Sequence, residues 1–316
     1  MNKLMCAIIA IVLAVATPAS VFAANHGDQK AVLVTGASTG IGRNITVRLA
    51  GKGYFVYATA RKAKDLEALN AIDNVQAIRL DVTDQGEIDA AVATVKAGGK
   101  GLYGIVNNAG VASFGSMTQV PESDIDFVFG VNIYGVYRVT KAFAPLVLEQ
   151  QGRITTTGSI SGFISGANGG VYSMTKFAME AYTDSLAAEL EPQGVKVSIV
   201  EPGSFKSAIW RTTANRSLKN AEAAGIEVTE EQRQLAENTI TYGDGQPEPD
   251  AVAAAVEHAL FSDTPKRRYM VTPDQPQAEV TLKHAIRRVA ELNHDHEFSY
   301  SRDELVQMLD EALEAL

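Results

Sequence analysis

After Lys30 the hydrophobic positions fall into short β-branched runs separated by longer stretches with helical spacing. The run "AVLVT" at 31 to 35 is followed by "IGRNITVRLAGKG", in which Ile41, Ile45 and Leu49 recur every four residues and Gly53 can end the helix. Further apolar runs follow at 54 to 59, 75 to 80, 102 to 107, 153 to 157 and 195 to 200, each after a helical segment. Strands alternating with helices return by right-handed crossovers and build a parallel sheet covered on both faces. The pattern therefore predicts an α/β chain, a single doubly wound domain of Rossmann type over residues 30–275.

The alternation fades after Val200. Residues 204–245 read as polar, interrupted helix, and "RRYMVT" at 267 to 272 reads as a last strand. In open α/β sheets ligands bind beyond the carboxyl ends of the strands, so the 204–245 insertion is placed to cover a substrate there. Residues 276–316 read as two amphipathic helices that either pack on their own core or meet a partner subunit. His294 and His296 in this extension flank an acidic loop rather than sharing a helical face, so no metal site is expected.

The N-terminus changes this picture. Lys3, an apolar run from Leu4 to Val15, Pro18 and the small-residue end Val21-Phe22-Ala23 form the pattern of a secretory signal peptide over residues 1–23. The run is shorter than the roughly 18 to 20 apolar residues that span a bilayer. Export to the periplasm or beyond is the expectation, with a retained N-terminal anchor or a cytoplasmic protein as the alternative. The single cysteine, Cys6, lies in this leader, so a cleaved chain has no disulfide and no thiolate site. A net charge of -9 without a Lys/Arg block argues against nucleic acid as a partner.

Candidate chemistry gathers at the strand ends. "TGASTGIG" at 35 to 42 joins the first strand to the first helix, and its Gly36, Gly40 and Gly42 allow a tight turn and close backbone approach to a phosphate at the helix N-terminus. Its spacing differs from GxGxxG, and a glycine-rich turn by itself can be a mere connection. Asp81 closes the third strand and "NNAG", residues 107 to 110, closes the fourth. Asp81 can equally cap a helix beginning near Thr83, and Asn107 and Asn108 can be turn residues. In "YSMTK", Tyr172 and Lys176 stand at i and i+4 on one helical face. A phenol titrates near pH 10, so acid/base work near neutrality needs a shift of roughly 3 units, about 4 kcal/mol. An ammonium about 4 to 5 Å away can supply most of it at an effective dielectric near 20. Ser159 follows the fifth strand and can donate to a carbonyl oxygen where charge develops.

These motifs in this order resemble the short-chain dehydrogenase/reductase family, most closely its retinol and hydroxysteroid dehydrogenase branch and bacterial oxidoreductases. "TGASTGIG", Asp81, "NNAG", the asparagine of "VNIYG" at Asn132, Ser159, "YSMTK" and "EPGSFKS" at 201 to 207 carry the resemblance. It implies that Tyr172 is the general acid or base, that Lys176 lowers its pKa and holds the nicotinamide ribose, that Ser159 polarises the carbonyl and that Asn132 maintains a proton relay through Lys176. It implies a cofactor cradle of Gly36, Ser38, Thr39, Gly40, Ile41, Gly42, Asp81, Asn108, Ala109, Gly110, Pro202, Gly203 and Ser207, with Tyr172 and Lys176. Ser207 stands where the family more often has Thr.

At the end of the second strand this chain has Thr59, Ala60 and Arg61, where an NAD enzyme usually carries an acid. Arg61 can pair with a 2'-phosphate, so NADP(H) is the expected cofactor, and Thr39, where a second basic residue is common, leaves NAD(H) possible. Phe163, Ile164, Phe205, Ile209 and Trp210 fall in segments expected to line the pocket, which points to a hydrophobic carbonyl or alcohol substrate. The resemblance also implies a homo-oligomer, a dimer or tetramer. The competing reading is a dinucleotide-binding sensor or scaffold without turnover, against which the intact Asn132, Ser159, Tyr172 and Lys176 set argues.

Overall fold

The computed structural model describes residues 29–223, 225 and 227–316. The signal-like leader at 1–23 lies outside them. Among the described residues no helix is long and apolar enough to cross a membrane.

Seven strands form one sheet: β1 (Ala31–Val34), β2 (Phe55–Ala60), β3 (Val75–Arg79), β4 (Gly104–Asn107), β5 (Arg153–Thr157), β6 (Lys196–Pro202) and β7 (Arg268–Val271). Their order is β3-β2-β1-β4-β5-β6-β7, and all neighbours run parallel. The order reverses between β1 and β4, which opens a crevice at that point, as in other doubly wound sheets. The helices are α1 (Gly40–Gly51), α2 (Ala63–Asn70), α3 (Gln85–Ala97), α4 (Glu122–Phe129), α5 (Val136–Glu149), α6 (Gly170–Leu190), α7 (Ala208–Ala223), α8 (Glu230–Asp244), α9 (Asp250–Phe261), α10 (Gln275–Leu292) and α11 (Arg302–Glu314).

Alternation along the strands feeds two cores. On β1, Ala31 and Leu33 point to the face covered by Ile88 of α3, Phe143 of α5 and Ala187 of α6. Val32 and Val34 point to the opposite face, against Ile45 and Leu49 of α1, Leu69 of α2 and Val256 of α9. Burial of strands on both faces is why they read as continuous apolar runs. The polar stretch after β6 becomes α7 and α8, which pack on each other beside the strand ends. The first turn of α10 also meets the β6–α7 turn, where Gln277 Oε1 accepts from the Ser204 backbone N–H at 2.8 Å. The C-terminal extension is thus tied to its own subunit at that end, and its Arg288 lies over the Phe177 ring at 4.2 Å.

The β1–α1 connection dictates its own residues. Gly36 has φ +64°, and a Cβ there would lie 2.9 Å from the Ala109 Cα. Gly42 buries its α-carbon against the same turn, where a Cβ would lie 2.3 Å from the Gly36 carbonyl oxygen and 2.4 Å from Asn108 Nδ2. Both neighbours are held by the fold, so Gly42→Ala must push α1 away from the strand ends. We expect this variant to lose about 1–3 kcal/mol of stability in urea unfolding, the usual cost of overpacking.

Candidate active site

Beyond the carboxyl ends of β1, β4, β5 and β6 lies a cleft of about 1020 Å³. Its floor is held by a hydrogen-bonded seam across the β1–β4 reversal. The Thr35 hydroxyl donates to the Val106 carbonyl at 3.3 Å and accepts from the backbone N–H groups of Asn108 at 2.9 Å and Ala109 at 3.0 Å. The Asn108 amide donates to the carbonyls of Thr35 at 3.0 Å and Gly36 at 3.3 Å, and its oxygen accepts from the Thr157 hydroxyl at 3.4 Å. Asn108 is therefore a clamp between the glycine turn and β5 as well as a cleft residue. Thr35 opens the "TGASTGIG" motif, whereas Thr157 lies outside the motifs, and a Thr closing an apolar strand is its only trace in the sequence.

Gly36, Ser38, Thr39, Ile41 and Gly42 line the cleft, as do Asn108, Ala109, Gly110, Pro202, Gly203 and Ser207. Gly40 instead backs onto Ser207, whose Cα would lie 3.1 Å from a Cβ at position 40. Thr39 precedes α1 without a side-chain cap, and no acid occupies the first turn. The unpaired N–H groups and positive helix end are thus free to hold a phosphate. These residues fit a dinucleotide's diphosphate.

At the end of β2 the cleft is basic: Arg61, Lys62 and Lys64 line it beside Asp65 and Asp81. Asp81 does not cap α3. The helix begins at Gln85 under the Asp84 side chain, which accepts from the Glu87 backbone N–H. Asp81 instead closes an Asx turn, accepting from the backbone N–H of Thr83 at 3.0 Å and its hydroxyl at 2.7 Å, and it faces Arg61 Nη1 at 3.3 Å. Partial burial pushes its carboxyl up, but the Thr83 and Arg61 hydrogen bonds outweigh that and hold it below the ordinary carboxylate value.

Ser159, Tyr172 and Lys176 meet at the inner end of the cleft. Ser159 leaves β5 in extended conformation, with its hydroxyl 3.4 Å from the Pro202 carbonyl and accepting from the Ser161 backbone N–H at 3.1 Å. Lys176 Nζ donates to the Thr157 carbonyl at 2.8 Å and lies 5.4 Å from the centre of the Tyr172 ring. The direction of the phenol's shift differs from the expected one. Burial pushes the Tyr172 phenol up to about 12, against a smaller downward pull from its hydrogen bond with Ser159. Burial likewise lowers Lys176 to about 8, opposed by the nearby charge of Glu180. Desolvation disfavours both charged forms, and it is the largest influence on each.

Asn132 lies outside the cleft wall. It sits in a π-helical turn, Gly130–Gly135, between α4 and α5, where its amide donates to the Val111 carbonyl at 2.9 Å and the Thr175 hydroxyl at 3.0 Å and its oxygen accepts from the Val111 N–H at 2.9 Å. It reaches the residue before Lys176 rather than Lys176 itself. The widened turn is a tertiary feature with no sequence signature here.

The substrate end is partly as expected. Phe205, Ile209 and Trp210 line the cleft, whereas Phe163 and Ile164 do not; Phe114, Phe127 and Val111 take their place. The Phe114 and Tyr172 rings meet edge to face at 6.3 Å. Sequence reasoning also missed the tie that holds α7 over the cleft. Buried Asp124 on α4 accepts from Arg216 Nη2 at 2.9 Å, Asn220 Nδ2 at 2.7 Å and the Ser113 hydroxyl at 3.0 Å, while the Arg216 guanidinium stacks 3.6 Å over Phe127.

Comparison with known proteins agrees with this geometry. Residues 30–217 match the family described as short chain dehydrogenase. Mitochondrial D-beta-hydroxybutyrate dehydrogenase of Rattus norvegicus is 33% identical over 267 residues, covering 78% of both chains. Retinol dehydrogenase 5 of Mus musculus is 34% identical over 253 residues, covering 75% of this chain and 79% of the other. Among solved structures, the closed form of serine dehydrogenase complexed with NADP+ is 27% identical, with TM-score 0.65, over 76% of this chain and 94% of that one. With its doubly wound sheet, its phosphate-ready first turn and its Ser, Tyr and Lys at one strand edge, this chain belongs to the short-chain dehydrogenase family of oxidoreductases.

Proposed function

We propose that the protein interconverts a carbonyl and a primary or secondary alcohol by hydride transfer with NADP(H), Tyr172 acting as general acid and base. The observation that carries this reading is the meeting of Ser159, Tyr172 and Lys176 in a cleft whose other end offers an uncapped helix N-terminus and a basic β2 end. When bound, the nicotinamide supplies or accepts the hydride.

The residues divide the remaining work. The Ser159 hydroxyl donates to the substrate oxygen and orients it toward Tyr172. In reduction the Tyr172 phenol gives its proton to that oxygen, and in oxidation the phenolate removes it. Lys176, anchored on the Thr157 carbonyl, opposes the negative charge that appears on Tyr172. Asn132 keeps α6 in register with β4 through Thr175 and Val111. Gly36, Ser38, Thr39, Ile41 and Gly42 hold the diphosphate, and Pro202, Gly203 and Ser207 flank the nicotinamide. Arg61, with Lys62 and Lys64 beside it, supports the 2'-phosphate preference, since a guanidinium already sharing Asp81 can turn to a more highly charged partner. Phe114, Phe127, Ile209 and Trp210 support a hydrophobic substrate.

Tyr172→Phe should lower kcat/KM by about 10²–10⁴-fold, the usual worth of a positioned general acid or base, while calorimetric nucleotide affinity stays within about threefold. Unchanged turnover would remove Tyr172 from the chemistry. Arg61→Ala should weaken NADPH binding by about 10- to 100-fold, as expected for a lost charge-assisted hydrogen bond, and leave NADH binding nearly constant. Equal losses for both nucleotides would refute the phosphate contact.

The pH dependence follows from burial. Reduction needs the phenol protonated, which a value near 12 secures through the neutral range, and needs the Lys176 ammonium, which is lost as pH rises through about 8. Carbonyl reduction should therefore be flat below pH 8 and fall above it, whereas alcohol oxidation should rise with pH up to about 8 as phenolate becomes more available. Initial rates in both directions across pH 6 to 10 check this, and a reduction rate that climbs above pH 8 would contradict it.

A further inference from the structure

Behind Lys176, on the side away from the cleft, two carboxyl groups are buried that the chemistry above does not use. Glu180 stands one turn after Lys176 on α6, and Glu201 ends β6 immediately before Pro202; their side chains are 12% and 3% exposed. Arg268 of β7 is their common partner. Its Nε lies 3.0 Å from Glu180 Oε2 and 3.8 Å from Glu201 Oε1, while its Nη2 donates to Asp184 at 2.7 Å. Glu180 Oε1 and Glu201 Oε1 are both buried without a donor.

One guanidinium, already shared with Asp184, faces two carboxyls out of water. Two adjacent buried carboxylates cannot both stay ionised cheaply against a single cation. A proton on one carboxyl, donated to the other, removes the excess charge and satisfies the orphaned oxygens together. Glu201 is the more deeply buried and lies farther from the guanidinium, so it is the carboxyl that keeps the proton, and Glu180 remains ionised against Arg268.

The geometry points to a Glu180–Glu201 pair that holds one proton at neutral pH and, through the charge left on Glu180, acts as a positioning and electrostatic support for Lys176. The pair is wedged between two parts of the site, because Glu180 also packs against the Ser159 turn, where a Cβ on Gly162 would lie 3.0 Å from Glu180 Oε1. Burial first and then the neighbouring Glu180 charge raise Glu201 to about 8, against the pull of Arg268. Burial raises Glu180 as well, opposed by its hydrogen bond to Arg268. The charge of Glu180 is also what raises Lys176 against its own desolvation.

The charged groups facing this cluster are Arg268 from β7 and Asp184 and Lys176 from α6. Arg267, the residue before β7, reaches Asp184 at 3.9 Å and Glu191 at 2.5 Å. Toward Lys176, α6 presents Tyr172 and β5 the neutral Thr157 carbonyl.

The significance of the Lys176 charge rests on the hydride-transfer reading, but the test needs no turnover, so either can fail without the other. In the purified full chain at neutral pH, the infrared spectrum of the wild type minus that of Glu201→Gln should contain the carbonyl stretch of a protonated carboxyl, shifted in D2O. In the wild type alone this band should disappear as pH rises through about 8. In ¹³C-lysine NMR, with Lys176→Met assigning the resonance, Glu180→Gln should lower the Lys176 midpoint by about 1 pH unit, the scale of one nearby charge at an effective dielectric near 20. Glu201→Gln, an isostere of the protonated acid, should leave that midpoint in place. Absence of the carboxyl band overturns the shared proton. A Lys176 midpoint unmoved by Glu180→Gln, or lowered equally by Glu201→Gln, overturns the support of Lys176, since a merely structural role would alter stability and not that titration.

Discussion

The parallel pairing of β1 with β4, β4 with β5 and β5 with β6 is the constraint on which the site depends. It aligns Val34 with Val106, Asn107 with Thr156 and Thr157 with Val200, so the chain leaves several strands at one level. The side chains just past that level then connect. Lys176 holds the Thr157 carbonyl, the Thr157 hydroxyl holds Asn108, and Asn108 holds the turn at Thr35 and Gly36. The Tyr172–Lys176 face of α6 is thereby linked in hydrogen-bonded steps to the glycine turn on the far side of the β1–β4 reversal. Such a chain of contacts holds the two ends of the cleft in one frame.

Electrostatics at the inner end of the cleft are set by burial before they are set by pairing. Removing Tyr172 and Lys176 from water favours the neutral phenol and the neutral amine. The phenol thus holds its proton firmly through the neutral range. Lys176 titrates close to the physiological range, where the surrounding charges decide whether it is an ammonium. Glu180 is the charge on the same helix face, and its own state is set by burial, which raises it, against the hydrogen bond and charge of Arg268. The site therefore extends past its visible wall to β7.

The two ends of the cleft are built differently. The nucleotide end is mostly backbone, close-packed through glycine and fixed by strand pairing. The substrate end is mostly side chain and is roofed by α7, which the Asp124 to Arg216 and Asn220 contacts fasten to α4. A side-chain roof can change its lining without disturbing the sheet, which fits a family whose members here include both hydroxybutyrate and retinol dehydrogenases.

Much of this was legible before any fold was known. The alternation of apolar runs with helical periods specifies a parallel doubly wound sheet, because strands buried on both faces must be apolar throughout. The glycines of residues 35 to 42, the strand-end Asn108 and the i,i+4 pair of Tyr172 and Lys176 are local patterns, and the parallel pairing implied by the strand–helix alternation carries them to the same edge. What required the tertiary structure depends on contacts between distant segments. Thr35 and Thr157 became part of the site only when β1, β4 and β5 paired, and Asn132 reached Val111 only through a π-helical turn. Phe114 of a loop and Phe127 of α4 replaced Phe163 and Ile164, because the placement of distant segments sets which side chains face a cavity. Protonation was decided last of all. The sequence shows that a cation can stand near a phenol, but only the packed structure determines how much water each group loses, and here that loss is the largest influence on both.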